Sequence, residues 1–553
     1  MPVAPVVQRP TRRGTAPWLV QFRGVLREEW SAALEAEGTR IRGYVPENVL
    51  LVEAAPAAVP KIAALDGVAW MGEYLPTYKK SPALDGKGAK DLDCVVTLFD
   101  PVDKRRIAIE FGEMNVFVPR SQFDADGAEL RVRLTAAQID KVATWAEVEW
   151  IEAVPPFRTW GSSGSIDKEE SESLQATYGQ GQRVHLVIRG AADSGTYGAQ
   201  ACALDEFVWA HPEMLVVAAG GNAAMDVKPA DGIVDAGSIG SPATAKNALS
   251  VGAAESRREV ARVWVESWPE DFAVEPIATD RMAQADGLQG LAAFSGRGPC
   301  ADGRIKPDLV APGTFLVAPR PVDADFTGWG VTENTNEIYV GGTGVAAEQA
   351  AEAARQARQW LAEQRGFAAP SAALLKALLI SGARDLAPGQ YGTGPKQEIP
   401  FGRPNSAQGF GLLDVEGALA AGDAGEIELH DAAGLAVGAA DVYELRAPAA
   451  GARFVLVLAY SDRPAAPAAA KKLVNDLDLT VTAPDGAVLH ANGRKSPDDL
   501  NNVEMIEFDA DEAGTYLARV EARSVPLGGS QPYALVVRGP RIPAARAAPL
   551  EAK

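Results

Sequence analysis

The chain is poor in histidine and cysteine, and it has no long apolar run. Only four of its 553 residues are histidine and three are cysteine. The odd cysteine count and the lack of metal-ligand spacing predict reduced, mostly buried thiols at Cys94, Cys202 and Cys300 rather than a disulfide framework. Because no run of about 18 apolar residues occurs, the sequence predicts neither a transmembrane helix nor a membrane partner.

Positive charge is also scarce. The chain has 53 Lys and Arg against 73 Asp and Glu, a formal net charge of −20. Proteins that bind a phosphate backbone depend on clustered basic residues, so no nucleic-acid partner is expected. Residues 1–13 hold no continuous apolar region of signal-peptide length, which predicts a cytoplasmic location by default. The length and the 47% hydrophobic content are typical of a globular protein of several domains.

Glycine is concentrated just before a predicted helix. The segment 339–347, YVGGTGVAA, leads into an alanine-rich stretch that predicts a buried helix over Ala346 to Gln364. Backbone N–H groups of Gly342, Thr343 and Gly344 at such a helix start could bind an anion. A tight glycine turn packed against neighbouring strands is the favoured alternative.

Further blocks follow the order of a known protease family. They are MLVVAAGGN at 214–222, GSPATAKNALSVGA at 240–253, FSGRGPCADGRIKPDLVAPG at 294–313 and PNSAQGFGLLD at 404–414. Together with YVGGTGVAA they closely resemble the subtilisin-like serine proteases (subtilases, peptidase S8). Within that family the chain looks most similar to the alkaline subtilases with a C-terminal jelly-roll domain. Most of this family is secreted, so the predicted location departs from it.

The resemblance implies a serine protease site whose reacting residues are missing. The family turn Gly-Thr-Ser-Met-Ala presents the nucleophilic serine, and Gly344 stands at that position. The triad also needs a histidine base and an aspartate that orients it. By resemblance, the residues of the site that remain are the oxyanion-type Asn222 and the cleft remnants Gly190, Gly220, Gly221 and Thr343.

Neither the histidine nor the aspartate motif of the family is found. The histidines are His185, His211, His430 and His490, and none is flanked by glycines, so all four are interpreted as structural or solvated. Asp193 lies in Asp-Ser-Gly, yet the block at 214–222 follows too soon for the intervening elements, which favours a loop or capping role. On the order of a hundred residues of βα units are inferred to be missing between about 161 and 183.

Two similar segments precede the protease-like region. Residues 54–73 and 134–152 each predict a short helix, a turn and a strand, which carries Trp70 or Trp150. Strands are also predicted at 18–22 and 44–52. By resemblance these are two prodomain modules, at 1–80 and 81–158, whose apolar faces could cover an exposed sheet edge. Generic α+β modules without an inhibitory role are the alternative.

The remaining chain divides into four regions. A polar linker is predicted at 159–183, a shortened subtilisin-like α/β domain at 184–425, a β-sandwich (jelly roll) at 426–541 and a disordered tail at 542–553. The predicted strands are 184–188, 215–219, 248–253, 309–310, 453–460, 477–482, 515–521 and 533–537, with a hairpin turn at 483–486 and a second helix at 372–380.

Acidic residues of the C-terminal region could hold calcium, but solvated carboxylates are the favoured alternative because no spaced ligand loop is visible. The candidate ligands are Asp476, Asp478, Asp498, Asp499 and Glu504.

The sequence thus predicts a shortened, mostly parallel subtilisin-like sheet with flanking helices, preceded by two α+β modules and followed by a β-sandwich. We expect a pseudoprotease with a protein-binding, inhibitory or scaffolding role and a protein partner, for which an active subtilase is the candidate. One alternative is an active serine endopeptidase with displaced residues, such as Thr343 as nucleophile. The other is a deletion product without function.

Overall fold

The structure is a computed structural model that describes residues 14–24, 26–84, 91–119, 128–154, 167–188, 195–284, 290–320, 328–420 and 427–540. The chain divides into two compact units. The first comprises residues 1–155 with 464–475 and 524–529, and the second comprises 156–463, 476–523 and 530–553.

The first unit contains two α+β modules. The first module is β1 (Ala16–Phe22), α1 (Glu28–Ala36), β2 (Arg40–Val45), β3 (Val49–Ala54), α2 (Val59–Ala63) and β4 (Val68–Glu73), with antiparallel strand order β2-β3-β1-β4. The second is β5 (Leu92–Leu98), α3 (Lys104–Glu113), β6 (Glu129–Leu134), α4 (Ala136–Ala143) and β7 (Val148–Ala153), with order β6-β5-β7 over the part described. Helices α3 and α4 contribute Phe111 and Ile139 to the core of the second module.

The two modules repeat the same register irregularity. In the first, the pairing of β1 with β4 shifts between Gln21 and Phe22, so that Phe22 lies opposite Val68. In the second, β5 and β7 shift between Thr97 and Leu98, so that Leu98 lies opposite Val148. A bulge at the same place in both central strands supports the internal repeat inferred from the sequence.

The equivalent tryptophans of the repeat have different environments. Trp70 of β4 is half exposed, whereas Trp150 of β7 is buried and donates its indole N–H to Glu152 Oε2 at 2.9 Å. The expectation that both tryptophans present apolar surface is therefore wrong for Trp150, because its side chain is buried.

The structure divides one of the predicted strands into two strands. The stretch 44–52 was expected to be continuous, but it breaks into the end of β2 and the start of β3. Glu47 and Asn48 both have positive φ, 70° and 62°, which an extended strand does not allow. They form the tight turn of a hairpin, in which two successive positive φ values match the twist of the flanking strands.

The second unit contains the parallel sheet that the sequence predicted. Its strands are β8 (Val184–Val187), β9 (Leu215–Ala219), β10 (Leu249–Ala254) and β11 (Leu309–Pro312), in the described order β11-β10-β9-β8 with parallel pairing throughout. The helices that precede or connect them are α5 (Asp167–Gly179), α6 (Ala199–Ala210) and α7 (Trp264–Ser267). Part of the predicted polar linker is therefore helical, in α5.

Three short strands and three helices follow. The strands are β12 (Leu316–Pro319), β13 (Gly330–Val331) and β14 (Glu337–Val340), which form an antiparallel sheet of order β12-β14-β13. The helices are α8 (Thr343–Gln364), α9 (Ala372–Gly382) and α10 (Val415–Leu419). Both predicted helices are confirmed. Alanines of α8 pack tightly inside the unit, and all of α9 from Ala372 to Ser381 is buried.

The C-terminal region, described over residues 427–540, is built mainly from strands. They are β15 (Ile427–Leu435), β16 (Ala440–Ala447), β17 (Arg453–Ala459), β18 (Asp476–Thr482), β19 (Val488–His490), β20 (Val503–Asp509), β21 (Gly514–Ser524) and β22 (Gln531–Arg538). They form two sheets of order β15-β22-β17-β20 and β16-β21-β18-β19. Phe454 of one sheet packs on Tyr516 of the other, and the hairpin turn predicted at 483–486 joins β18 to β19.

Candidate functional site

The glycine segment forms the turn between β14 and α8. Gly342 caps α8 with φ 126°, a conformation that favours glycine, and its N–H donates to Gly313 O at 2.8 Å. A Cβ on Gly341 would lie 2.2 Å from the ring of Trp329, so the turn and the indole are closely packed. The glycines let the backbone pass between the end of β11 and an aromatic ring.

Thr343 and Asn222 are bonded directly to each other. Asn222 Oδ1 accepts from both the backbone N–H and the hydroxyl of Thr343, each at 2.9 Å, and Thr343 Oγ1 accepts from Gly221 N–H at 3.1 Å. Thr343 is buried. Since the amide at the helix start already donates within the protein, the tight glycine turn explains this segment better than an anion site.

Gly220 and Gly221 follow β9 at the carboxyl end of the sheet. Gly220 N–H donates to Val251 O at 2.8 Å, and a Cβ on Gly220 would lie 3.2 Å from the same oxygen. Gly221 has φ 95°. Close backbone packing therefore requires glycine here, and it places Asn222 beside Thr343.

Gly344 lies on the first turn of α8 and has room for a side chain. A Cβ there would meet Ile188 Cβ and O at 3.4 Å, which is ordinary van der Waals contact, and its φ lies outside the left-handed region. Ile188, at the end of β8, is largely exposed. Glycine is thus not needed for backbone reasons at this position, unlike at Gly342. Gly190 and Asp193 lie outside the described residues.

The histidines of the parallel-sheet region have structural contacts. His185 Nδ1 lies 3.1 Å from Thr177 Oγ1, and His211 stacks on Phe207 with its Nδ1 2.9 Å from Phe207 O. These contacts agree with the interpretation of the two histidines as structural. Cys94, Cys202 and Cys300 form no disulfide, and burial raises the pKa of the Cys300 thiol to about 11.

The C-terminal carboxylates differ from the expectation. Asp478, Asp498 and Glu504 are buried, so the solvated interpretation is wrong for them, although Asp499 is exposed. Their bonds are internal: Asp478 Oδ2 accepts from Arg523 Nε and Glu504 Oε2 from Leu479 N–H, both at 2.6 Å. Within the described ranges no group of three or more His, Cys, Asp or Glu side chains is arranged to hold a metal ion.

Sequence reasoning missed an aromatic and acidic region beside the turn. Trp264 of α7, Phe294 and Trp329 pack edge to face, and Trp264 Nε1 donates to Glu255 Oε1. The signal in the sequence was Glu255, a charged residue that directly follows the apolar strand β10. Charged residues are rarely buried.

A parallel sheet with glycine turns at its carboxyl edge and a long helix behind it defines a subtilisin-like α/β fold, accompanied by antiparallel sheets. Comparison with known families agrees. Residues 142–411 match the subtilase family (peptidase S8), and residues 4–75 match a domain of unknown function, DUF8729. The chain therefore carries a subtilase-family domain.

Curated relatives carry protease names. The chain is 26% identical over 452 residues to the serine protease/ABC transporter B family protein tagD of Dictyostelium discoideum, covering 62% of this chain and 24% of tagD. Similarity to tagB of the same organism is 26% over 489 residues, 68% of this chain and 25% of tagB. This chain thus spans about a quarter of the length of these relatives.

Among solved structures, the prenylagaramide maturation protease PagA is 18% identical, with a TM-score of 0.29 over 47% of this chain and 69% of PagA. The epidermin leader peptide processing serine protease of Staphylococcus aureus is 13% identical, with a TM-score of 0.25 over 73% of this chain and 98% of that protein.

Separately, no helix among the described residues is both long and apolar enough to cross a membrane.

Proposed function

We propose that this chain is a catalytically inactive subtilase homologue that acts by binding another protein. The observation that carries the proposal is Gly344, which stands on the first turn of α8 without any side-chain oxygen to attack a carbonyl carbon. A serine protease needs a nucleophile activated by a base, and an oxyanion donor such as Asn222 stabilises only a charge that the nucleophile creates.

The second candidate is an active endopeptidase with displaced catalytic residues. The serine protease names of the relatives support it. Thr343 would then be the nucleophile. Its hydroxyl is buried and already bonded to Asn222 and Gly221, so an attack would require breaking both bonds. This geometry favours the inactive homologue. A deletion product without function is the third candidate, and an unfolded or molten purified chain would support it.

The binding role proposed is inhibition, chaperoning or scaffolding, with an active subtilase as the partner. The repeated α+β modules support it if they are prodomain modules, because prodomains of this family bind the protease cleft. We assign the two facing C-terminal sheets as the jelly roll of alkaline subtilases. Co-purification of a stable complex with an active subtilase at endogenous level would support this partner, and its repeated absence would contradict it.

The decisive experiment is labelling with a fluorophosphonate probe beside a casein hydrolysis assay, with an active subtilase as positive control. We expect neither labelling nor hydrolysis above buffer. The Thr343→Ala variant is the matched control. Labelling of the unaltered chain that disappears in Thr343→Ala would establish the displaced-nucleophile enzyme instead.

A further inference from the structure

A buried carboxyl cluster lies at the carboxyl end of β10. Glu255 follows this strand directly and is 1% exposed. Its Oε1 accepts from Trp264 Nε1 and from Gln390 Nε2, each at 3.3 Å. Its Oε2 is buried and has no hydrogen-bond partner in the part of the chain that the structure describes. A buried carboxylate oxygen without a hydrogen-bond partner is costly because it carries charge. Protonation of the carboxyl removes that charge.

Two more carboxyls complete the cluster. Asp280 accepts from the Tyr391 hydroxyl at 3.1 Å and from Gln284 Nε2 at 2.9 Å. Glu398, which is almost fully buried, accepts from the backbone N–H of Leu291 at 2.9 Å and of Gln390 at 3.2 Å.

The cation that faces these carboxyls is Arg297, which is buried with its Nη2 3.9 Å from Glu398 Oε1. The groups that face Glu255 from the surrounding segments are Asp280, Glu398, Arg297 and Tyr391, with Trp264 and Gln390 as neutral donors.

The cluster carries too much negative charge to be fully ionised. Three carboxylates and one guanidinium sum to −2, since −3 + 1 = −2, and Glu255 and Arg297 are buried. Either a metal cation or protons must neutralise the excess. Among the described residues no group of three or more His, Cys, Asp or Glu side chains is arranged to hold a metal ion, which favours protons.

The pKa values agree with protonation near neutral pH. Burial raises the pKa of Asp280 to about 6 and, against the opposing charge of Arg297, that of Glu398 to about 7. Burial and the charges of these two neighbours raise the pKa of Glu255 well above its ordinary value.

The cluster touches the glycine turn through aromatic rings. Trp264, which donates to Glu255, packs edge to face on Phe294 with ring centroids 5.7 Å apart. Phe294 packs on Trp329 at 5.9 Å, and the Trp329 ring fills the space over Gly341. Movement of Glu255 would therefore reach the turn before α8 through three rings in contact.

We propose that the Glu255, Asp280 and Glu398 cluster is a proton-operated switch, which holds the aromatic rings against the Gly341–Gly344 turn when protonated and loosens them when ionised. Raised pKa values in the folded state mean that this stabilisation is fully present below the unfolded values, about pH 4. It is lost as the pH rises through about 6 to 7. The switch does not depend on whether the chain hydrolyses peptides.

The test compares unfolding equilibria of the full chain at pH 5.5 to 8 for the unaltered protein, Glu255→Gln and the control Glu352→Gln. Glutamine is the neutral isostere. A carboxyl that is ionised in the unfolded chain but still protonated in the folded chain lowers the folding constant about tenfold per pH unit, so the unaltered protein should lose stability as the pH rises and Glu255→Gln should lose less. Glu352 is exposed on α8 and its pKa is lowered to about 2 by its bond to Arg355, so its variant should follow the unaltered protein.

Amide hydrogen exchange locates the effect. After correction for intrinsic rates, exchange in peptides from 256–284 and 385–400 should accelerate between pH 5.5 and 8 in the unaltered protein and much less in Glu255→Gln. Parallel pH slopes in all three proteins would overturn the proposal. So would millimolar calcium that stabilises the unaltered protein at pH 8 but not Glu255→Gln. If Glu255→Gln does not fold, Glu398→Gln replaces it in the same comparison.

Discussion

At Gly344 the chain has room for a side chain that it does not carry. Its neighbours Gly341 and Gly342 are glycine because Trp329 and a positive φ require it, whereas a Cβ on Gly344 would make ordinary contact with Ile188. Backbone geometry therefore does not explain this glycine. The position can accept serine without strain, which makes the site open to a direct repair experiment.

Gly344→Ser should fold like the unaltered chain and should not hydrolyse casein. A serine without its base is a poor nucleophile, and in this type of site loss of the histidine alone costs about 10⁶-fold in turnover. Casein hydrolysis is measured against an active subtilase, with thermal melting as the check on folding. Turnover above buffer in this single variant would mean that a histidine acts on residue 344 after all.

A buried ion pair offers a prediction about stability. Lys246 Nζ bonds Asp462 Oδ2 and Arg463 O, each at 2.5 Å, with both charged side chains fully inaccessible. Asp462→Asn removes the carboxylate charge that is bonded to this fully buried ammonium and should lower the free energy of unfolding by about 3–5 kcal/mol. Urea denaturation measures it. Glu352→Gln, which breaks an exposed pair with Arg355, is the control and should change nothing measurable.

At the scale of elements, the stability of helix α9 depends on the cap at its N-terminus. The helix is buried from Ala372 to Ser381, so water cannot accept hydrogen bonds from the backbone N–H groups of its first turn. Ser371 Oγ accepts from Leu374 N–H at 3.0 Å and donates to Asp431 Oδ1 at 2.7 Å. The cap thus joins the helix to strand β15.

Ser371→Ala should cost about 1–2 kcal/mol of unfolding free energy, since it removes an N-cap and a bond to a carboxylate. Denaturant unfolding of this variant beside Ser496→Ala, an exposed loop position, isolates the cap. Equal stability of the two variants would show that the helix start is satisfied in another way.

At the scale of the whole molecule, the two N-terminal modules should remain attached in the purified protein. Active relatives cut off a prodomain with their own site, and we propose that this site does not act here. Intact mass spectrometry should give the full chain of 58.1 kDa, with or without the initiator methionine. A specific cut between Glu152 and Arg183 that persists in a protease-free host would contradict this prediction and the inactive-homologue proposal together.

Much of the element pattern was readable from the sequence. Strands β9 and β17, helices α8 and α9 and the turn at 483–486 lie where apolar runs, alanine content and turn residues predicted them. These signals are local. The break at Glu47 and Asn48 was missed because neither residue is a glycine, although the turn needs two positive φ values.

The sequence by itself determined the family, since motif blocks of glycine, proline and small residues persist wherever the backbone packs closely. Only the tertiary structure decided how the site is occupied. Thr343 meets Asn222 across 121 residues of sequence, and Glu255 meets Gln390 across 135. No local pattern encodes such pairs. Whether a carboxyl is solvated or buried and neutral follows from the elements that the fold brings around it.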